Sequence, residues 1–378
     1  MPERPRVYVA LAALLLNLPL LGCGPAYGEA FVTSFNAAKR AHAAGRYAEA
    51  AELYAQASRD ARRIKDRDEA HFMQARMYER LERYAEAQDV YRGIARQSPK
   101  GPRGGRAAFD AATIEIEHGD AERGFDALRE AMLRYPSHGS ARRALALWAA
   151  HVSETRGEEA LRLELAQLQP RLIGSDIAQQ VDVETAQSFR RSGDLAEAHR
   201  RLIAAARKYP YPHGTLTDDA YFHAAEVAVE LGDPRLAIAD LEALLATREV
   251  AVGGSYERPR YPAAQLRIGE IYRDLLHDPD KAREAFRRTY EQHATSILAD
   301  DALFDEAVLT HQAGDTDGAC ALSDKLTERY PDSRYRLCLR AICSSAPVGE
   351  RACPDYIRAR VEGRDDADRD AGGASGGS

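Results

Sequence analysis

The feature that most constrains the fold is a motif that recurs along most of the chain, from about residue 31 to residue 343. Its fullest form is Gly-x4-Ala-x3-(aromatic or Leu)-x2-(Ala or Leu), often closed by Tyr-Pro. Gly45, Ala50, Tyr54 and Ala57 form the first copy. Apolar residues three or four positions apart lie on one face of an α-helix, so each copy predicts an amphipathic helix.

Seven further copies follow, some of them imperfect. The second has Glu82 in the glycine position, and the third has Gly119 there with Gly124 in place of the alanine. The fourth, near Ala160 to Pro170, is degenerate. The remaining copies begin at Gly193, Gly232, Gly269 and Gly314. Eight copies in one register are specific, although each alone is a weak signal.

Glycines and prolines predict where these helices end. We expect left-handed glycines at the ends of first helices: Gly45, Gly119, Gly193, Gly232 and Gly314. Prolines follow second helices, which they cannot continue: Pro99, Pro136, Pro210 and Pro331. The acidic pairs Asp218-Asp219 and Asp300-Asp301 precede first helices. No segment alternates with the period of a strand, so the chain is predicted to be all-α.

Phenylalanine marks a second pattern, Phe-x-x-Ala, within the first helices. It occurs at Phe35, Phe72, Phe109, Phe222 and Phe304. These rings are either a ladder of anchors along a binding groove or packing residues between adjacent first helices. We favour packing, because a phenylalanine and an alanine three positions apart share one helix face.

In these residues the chain resembles the tetratricopeptide repeat (TPR), whose unit is two antiparallel helices with a period of about 34 residues. Here Gly45, Glu82 and Gly119 are 37 residues apart, so the units are slightly longer. The resemblance implies an α-solenoid of about eight helix pairs, closed by a capping helix at residues 333–343. It also implies a concave face on which protein or peptide partners bind.

The amino-terminal segment carries a second resemblance. An apolar run at residues 7–21 follows Arg4 and Arg6 and ends in Leu20-Leu21-Gly22-Cys23. The run is too short to span a bilayer comfortably, and its end resembles a bacterial lipobox. That implies removal of residues 1–22, a lipid on Cys23, and anchoring by that lipid. The alternatives are an ordinary signal peptide cut near residues 26–30 and a retained transmembrane anchor.

The residue after Cys23 is glycine rather than aspartate. In the sorting rule of this lipoprotein family, that position points to the outer membrane, with the chain facing the periplasm.

The other four cysteines are confined to the carboxyl-terminal part: Cys320, Cys338, Cys343 and Cys353. An even set in an exported protein favours two disulfides, for which three pairings are possible. Free buried thiols are an alternative. A zinc site is another, but no Cys-x-x-Cys occurs and the spacings match no common finger.

These features divide the chain into four parts. Residues 1–22 are the signal peptide, 23–33 a lipidated tether, 34–343 the solenoid, and 344–378 the cysteine-stapled end with a disordered tail. A Gly- and Pro-containing loop at 247–262 is either a hinge between two sub-arrays or a partner-binding insertion.

Charge and motifs narrow the function. The chain has 52 Lys and Arg against 59 Asp and Glu, a net charge of −7, which argues against a nucleic-acid partner. It contains no phosphate-binding Gly-x4-Gly-Lys-(Ser/Thr) loop, no His-Glu-x-x-His and no Gly-x-Ser-x-Gly. We therefore expect no enzyme activity, no cofactor and no metal.

The repeats with Tyr-Pro ends and the lipidated amino terminus are similar to the lipoprotein of the outer-membrane β-barrel assembly machinery, and to the periplasmic coordinator of the Tol–Pal system. This resemblance implies a membrane-anchored periplasmic protein–protein interaction scaffold in an outer-membrane assembly complex. The alternative is an envelope adaptor or pilotin for secretion, polysaccharide export or motility machinery. The eight units and the cysteine-stapled end depart from the assembly lipoprotein.

Overall fold

A computed structural model of the chain describes residues 28–210, 214–247, 260–346 and 352–363. Within these ranges the backbone forms 17 α-helices and no β-strand, so the all-α prediction is confirmed. Cys23 and the predicted signal peptide lie outside the described residues, as do most of the 247–262 loop and the tail from 364 onward.

The helices follow one another in antiparallel pairs. In chain order they are α1 Glu29–Ala43, α2 Tyr47–Asp60, α3 Ile64–Arg80, α4 Tyr84–Gln97, α5 Gly104–His118, α6 Ala121–Arg134, α7 Ala141–Leu172, α8 Ala178–Arg191, α9 Leu195–Lys208, α10 Thr217–Glu230, α11 Pro234–Ala246, α12 Arg260–Glu270, α13 Pro279–Gln292, α14 Ala299–Gln312, α15 Thr316–Arg329, α16 Leu339–Ile342 and α17 Asp355–Val361. A π-helical segment, Ile271–Leu275, follows α12, and a 3-10 helix, Arg334–Cys338, precedes α16.

The motif positions form the buried faces of these helices. In the first copy, Ala50, Tyr54 and Ala57 are wholly buried. The same positions are buried in α4, α9 and α11, and consecutive helices pack on each other from α1 to α6 and from α9 to α16. Small residues at these positions let the helix backbones approach, and the larger ones fill the space between pairs.

The turn inside a pair places one residue in the left-handed region. Gly45, Gly193, Gly232 and Gly314 have φ between 73° and 82° there, as predicted. Glu82 takes the same conformation with φ 58°, although it has a Cβ that this conformation disfavours.

Gly119 is an exception, and the prediction that it is left-handed was wrong. Its φ is −131°. A Cβ at this position would lie 3.0 Å from Oε1 of Glu115 and 3.1 Å from the carbonyl oxygen of the same residue. A side chain here would crowd Glu115, because the Glu115 side chain folds back over the helix end.

The seventh copy also has a different register from the predicted one. Gly269 lies inside α12, where a Cβ would be only 2.5 Å from the ring of Phe286. The turn position is held by His277, with φ 51°. Ala282 and Phe286 follow His277 at the motif spacing, and both are buried.

The degenerate fourth copy lies in α7, which is two helices joined at a break. Gly157 forms the break, with φ 84° and ψ 168°. Leu161, Leu165 and Leu168 are buried four, eight and eleven residues after it. In the complete motif these distances are five, nine and twelve, so this turn is one residue shorter and the motif is hard to recognise.

The chain divides into two compact units. The first contains the described residues up to Ala160 together with Ala166–Ala178, and the second contains Leu161–Leu165 and the described residues from Gln179 onward. The division falls in α7 and the turn after it, so the loop at 247–262 is not the boundary between the units. The first helix begins at Glu29, which places the start of the solenoid before residue 34.

The second unit ends in short elements rather than in one capping helix. The predicted helix at 333–343 is a 3-10 helix followed by the single turn α16. Helix α17 packs against α14 and α16 and buries Ile357 and Val361. Both acidic pairs were predicted to precede their helices, but they lie inside the first turn. Asp218-Asp219 is in the first turn of α10, and Asp300-Asp301 is in the first turn of α14.

Candidate interaction site

The five phenylalanines of the Phe-x-x-Ala pattern all contact other side chains of the same chain. Phe72, Phe109 and Phe304 are buried, and Phe35 and Phe222 are half-buried. The ring of Phe35 lies 5.3 Å from that of Tyr54, and the ring of Phe72 lies 5.2 Å from that of Tyr91. These contacts favour the packing interpretation over a ladder of free anchors.

An arginine at the start of the next first helix covers two of these rings, Phe72 and Phe222. The Arg103 guanidinium lies 4.5 Å from the centroid of Phe72, and its Nη2 donates to Oε1 of Glu69 at 2.7 Å. Such a stacked and hydrogen-bonded arginine fixes the spacing between one helix pair and the next.

The same arrangement recurs in the second unit. Arg260 lies 4.8 Å from the centroid of Phe222 and donates to Asp219 at 2.6 Å. Arg334 donates to Asp301 at 2.8 Å, beside the stacked rings of Phe304 and Tyr335. These arginine–carboxylate pairs were not predicted from the sequence. The pattern that could have indicated them is an acidic residue three positions before the phenylalanine.

A buried carboxylate organises the surface formed by α4, α5 and α6. Glu115 of α5 accepts hydrogen bonds from Gln88 Nε2 at 2.6 Å and Arg92 Nη2 at 2.7 Å. Arg123 Nη2 donates at 3.0 Å, and the amide of Asp120 at 3.3 Å. These donors, with Gln88 first, hold the pKa of the Glu115 carboxyl below its ordinary value, although burial opposes them.

A polar cavity of about 320 Å³ opens beside Glu115. Its wall includes the rings of Tyr84 and His118, which stack with their centroids 3.5 Å apart and their planes inclined by 7°. Arg92 and Arg123 also line it, and both hydrogen-bond to Glu115. The charged groups of this cavity are therefore paired with one another.

A second opening, which we call the alanine cleft, lies between α4 and α6 with α5 as its floor. Its volume is about 180 Å³. Six alanines line it: Ala95, Ala108, Ala111, Ala112, Ala127 and Ala131. The other lining residues are Arg92, Arg96, Glu130, Arg134 and Tyr135. The cleft exists because methyl groups occupy positions on three helices where larger side chains would fill the space.

The charged groups at the edge of the alanine cleft are mostly basic. Arg96 and Arg134 are exposed, and neither forms an ion pair within the part of the chain that the structure describes. The Tyr135 hydroxyl is buried and finds no hydrogen-bond partner among the described residues. An apolar floor with unpaired cations above it is a surface suited to an anionic, partly apolar ligand.

The four carboxyl-terminal cysteines form two pairs. Cys320 is bonded to Cys343, with the Cα atoms 4.9 Å apart, and Cys338 to Cys353, with the Cα atoms 4.8 Å apart. The first bond joins α15 to the end of α16, and the second joins the 3-10 helix to the segment before α17. Together they fasten the last elements of the second unit to each other.

The described residues contain neither a metal-binding cluster nor a helix suited to crossing a membrane. No cluster of three or more His, Cys, Asp or Glu side chains has a geometry that would hold a metal ion there. Among the described helices, none combines the length and the hydropathy needed to cross a bilayer.

Comparison with known families identifies the repeats. One tetratricopeptide-repeat model matches residues 35–102 and 222–296, and another matches residues 301–333. No curated protein sequence matches the chain.

Solved structures that match the chain include several bacterial proteins. PilF of Pseudomonas aeruginosa is 18% identical, with a TM-score of 0.36 over 61% of this chain and 93% of that one. A tetratricopeptide-repeat protein of Cytophaga hutchinsonii is 15% identical, with a TM-score of 0.41 over 71% and 98%. One from Parabacteroides merdae is 14% identical, with a TM-score of 0.35 over 74% and 99%.

Likenesses at this level of identity carry no conclusion about function. The repeats themselves bear on function, because tetratricopeptide-repeat proteins are typically non-catalytic and expose stacked helix pairs to other proteins. The chain is therefore an all-helical solenoid whose matched segments are tetratricopeptide repeats, and such repeats imply a scaffold for protein–protein interaction.

Proposed function

We propose that this chain is a lipid-anchored scaffold on the periplasmic side of the bacterial outer membrane, where it holds together the subunits of an outer-membrane assembly complex. The observation that carries the proposal is the repeat array, matched in three segments of the chain. Protein or peptide partners would dock on its concave face, and the lipid on Cys23 would keep the array at the membrane surface.

Two further features support the proposed compartment. The amino-terminal sequence has the basic residues, the apolar run and the Leu-Leu-Gly-Cys ending of a lipoprotein signal. The pairing of all four carboxyl-terminal cysteines agrees with an oxidising environment, because structural disulfides persist there and are rare in the cytosol.

The test is crosslinked co-purification of the tagged full-length protein from detergent-solubilised envelopes, read by mass spectrometry. We expect a β-barrel assembly protein in near-equal amount. Recovery of a secretin, an export component or a motility component in its place would contradict the assembly role and indicate an adaptor or pilotin. Recovery of cytosolic proteins alone, with the chain absent from envelopes, would overturn the proposed location as well.

A further inference from the structure

We propose that the alanine cleft binds an acidic peptide segment of a partner protein. A small apolar side chain of the peptide would lie on the alanines, and its carboxylates would contact Arg96 and Arg134. This inference rests on the proposed function as a scaffold, and it adds a docking site with its own specificity.

The floor of the cleft selects for a small apolar group. Ala112 on α5 and Ala131 on α6 are 1% and 5% exposed, whereas Ala108 on α5 and Ala127 on α6 are only partly buried. The volume of about 180 Å³ exceeds the roughly 150 Å³ that accommodates a benzene-sized group in an apolar cavity. A valine or leucine side chain therefore fits, whereas a lipid acyl chain is too long.

The edge of the cleft selects for negative charge. Arg96 on α4 and Arg134 on α6 stand on opposite sides of α5, and neither is neutralised by an ion pair with a described residue. Arg92 also lines the cleft, but its guanidinium donates to Glu115. Glu130 is the single acidic residue among the lining side chains. Basic groups thus predominate locally on a chain whose net charge is −7.

The Tyr135 ring lines the cleft, and the Arg134 guanidinium lies 5.6 Å from its centroid. The Tyr135 hydroxyl is fully buried among the described residues, so it is not part of the surface that a peptide would contact. Guanidinium groups bind carboxylates through paired N–H donors, so the cleft favours Asp- and Glu-containing segments over neutral ones.

The test is fluorescence anisotropy of a short fluorescein-labelled peptide in which pairs of aspartates flank a single valine, titrated with the full-length protein in detergent. We expect saturable binding that weakens as salt is raised. The double variant Arg96→Gln/Arg134→Gln should weaken binding at least about tenfold. Ala127→Leu, which fills the side of the cleft without removing a charge, should weaken it comparably.

A matched double variant controls for net charge. Arg235→Gln/Arg340→Gln also removes two exposed arginines, both in the second unit, and should leave peptide binding unchanged. A peptide with lysines in place of the aspartates should not bind. Circular dichroism and thermal unfolding of each variant establish that it is folded.

Three outcomes would overturn the proposal. One is no binding of the aspartate peptide to the folded protein, another is equal loss in both double variants, and the third is equal binding of the lysine peptide. Binding of phosphatidylglycerol vesicles that depends on Arg96 and Arg134, without peptide binding, would assign the arginines to a membrane surface instead.

A parallel co-purification separates this site from the general scaffold role. If Arg96→Gln/Arg134→Gln retains every crosslinked partner of the wild type, the acidic-peptide site is wrong and the scaffold proposal stands. Loss of one partner with retention of the others is the expected result.

Discussion

A carboxylate in a protein interior costs free energy unless donors surround it, and Glu115 shows how the repeat meets that requirement. Four donors converge on this one side chain: Gln88 and Arg92 on α4, the amide of Asp120 in the turn after α5, and Arg123 on α6. The same strategy recurs at Glu306, which accepts from Arg287 and Tyr290. Glu115 and Glu306 join neighbouring helices by polar contacts. These contacts matter because the alanines on the packed faces bury little apolar surface.

Replacing Glu115 by glutamine should lower stability at neutral pH and make stability less dependent on pH. Hydrogen bonds to a charged group contribute roughly 1.5–3 kcal/mol, and Glu115→Gln removes the charge. Because the folded-state pKa is lowered, the stabilisation is present above the unfolded pKa of about 4.3 and is lost as pH falls through the folded value.

The measurement is thermal unfolding of wild type and variant at pH 7 and at pH 3.5. The gap between the unfolding temperatures of wild type and variant should be smaller at pH 3.5 than at pH 7. Asp126→Asn, which removes an exposed carboxyl from α6, serves as the control. A gap that stays constant or widens on acidification would contradict the assigned role of Glu115.

At the scale of the helix, the motif predicted most of the buried faces but not every turn. Positions five, nine and twelve residues after the turn are set by helix geometry, so they could be read from sequence. The turn at Gly157 is one residue shorter, which shifts the register of the positions that follow it. The turn at His277 keeps the motif spacing but has no glycine, so its copy was assigned to Gly269. Local sequence does not encode these changes strongly, because the neighbouring helices impose the conformation.

The candidate site was less predictable than the helices. The arginines that cover Phe72 and Phe222 lie 31 and 38 residues away in sequence, so their roles depend on the fold. The alanine cleft requires small residues on three helices at once, and each helix alone shows an ordinary packing face. The four cysteines were predicted as a set, but their pairing could not be chosen from spacing.

Substituting Gly157 by alanine should destabilise the first unit. A residue with φ 84° and ψ 168° is in a region open to glycine alone, and forcing a Cβ into it costs about 1–3 kcal/mol. Denaturant unfolding of Gly157→Ala measures this cost. The control is Gly139→Ala, where no heavy atom lies within 4 Å of the added Cβ. Equal stability of the two variants would show that Gly157 is not held in this conformation.

Removing the bond between Cys338 and Cys353 should loosen the end of the second unit. The bonded residues are 15 apart in sequence, and closing a loop of that size stabilises by about 3 kcal/mol in the chain-entropy model. In Cys338→Ser/Cys353→Ser, amide hydrogen exchange should accelerate in α14, α16 and α17. Exchange in α1–α6 should stay unchanged, since a repeat contacts only its neighbours. Unchanged protection in α14 would contradict this account.

For the whole molecule, the central expectation concerns its attachment to the membrane. Cys23→Ala should release the protein from envelopes into the soluble periplasmic fraction, because buried methylene groups of the lipid would supply the binding free energy. Fractionation and immunoblotting measure the distribution. Gly24→Ala keeps the lipobox cysteine and should stay membrane-bound. Full membrane retention of Cys23→Ala in protein from which residues 1–22 have been removed would rule out anchoring through that residue.

The order of the two cysteine pairs along the chain has a consequence for biogenesis. Numbered from the amino end, the first cysteine of the set is joined to the third and the second to the fourth. On the proposed export route the chain emerges amino end first, so Cys320 and Cys338 meet an oxidant before their true partners arrive. Reaching the interleaved pattern from such a mispaired intermediate requires thiol–disulfide exchange, in which a free thiolate attacks the wrong bond. Correctly paired protein should therefore accumulate only where a disulfide-shuffling activity is present.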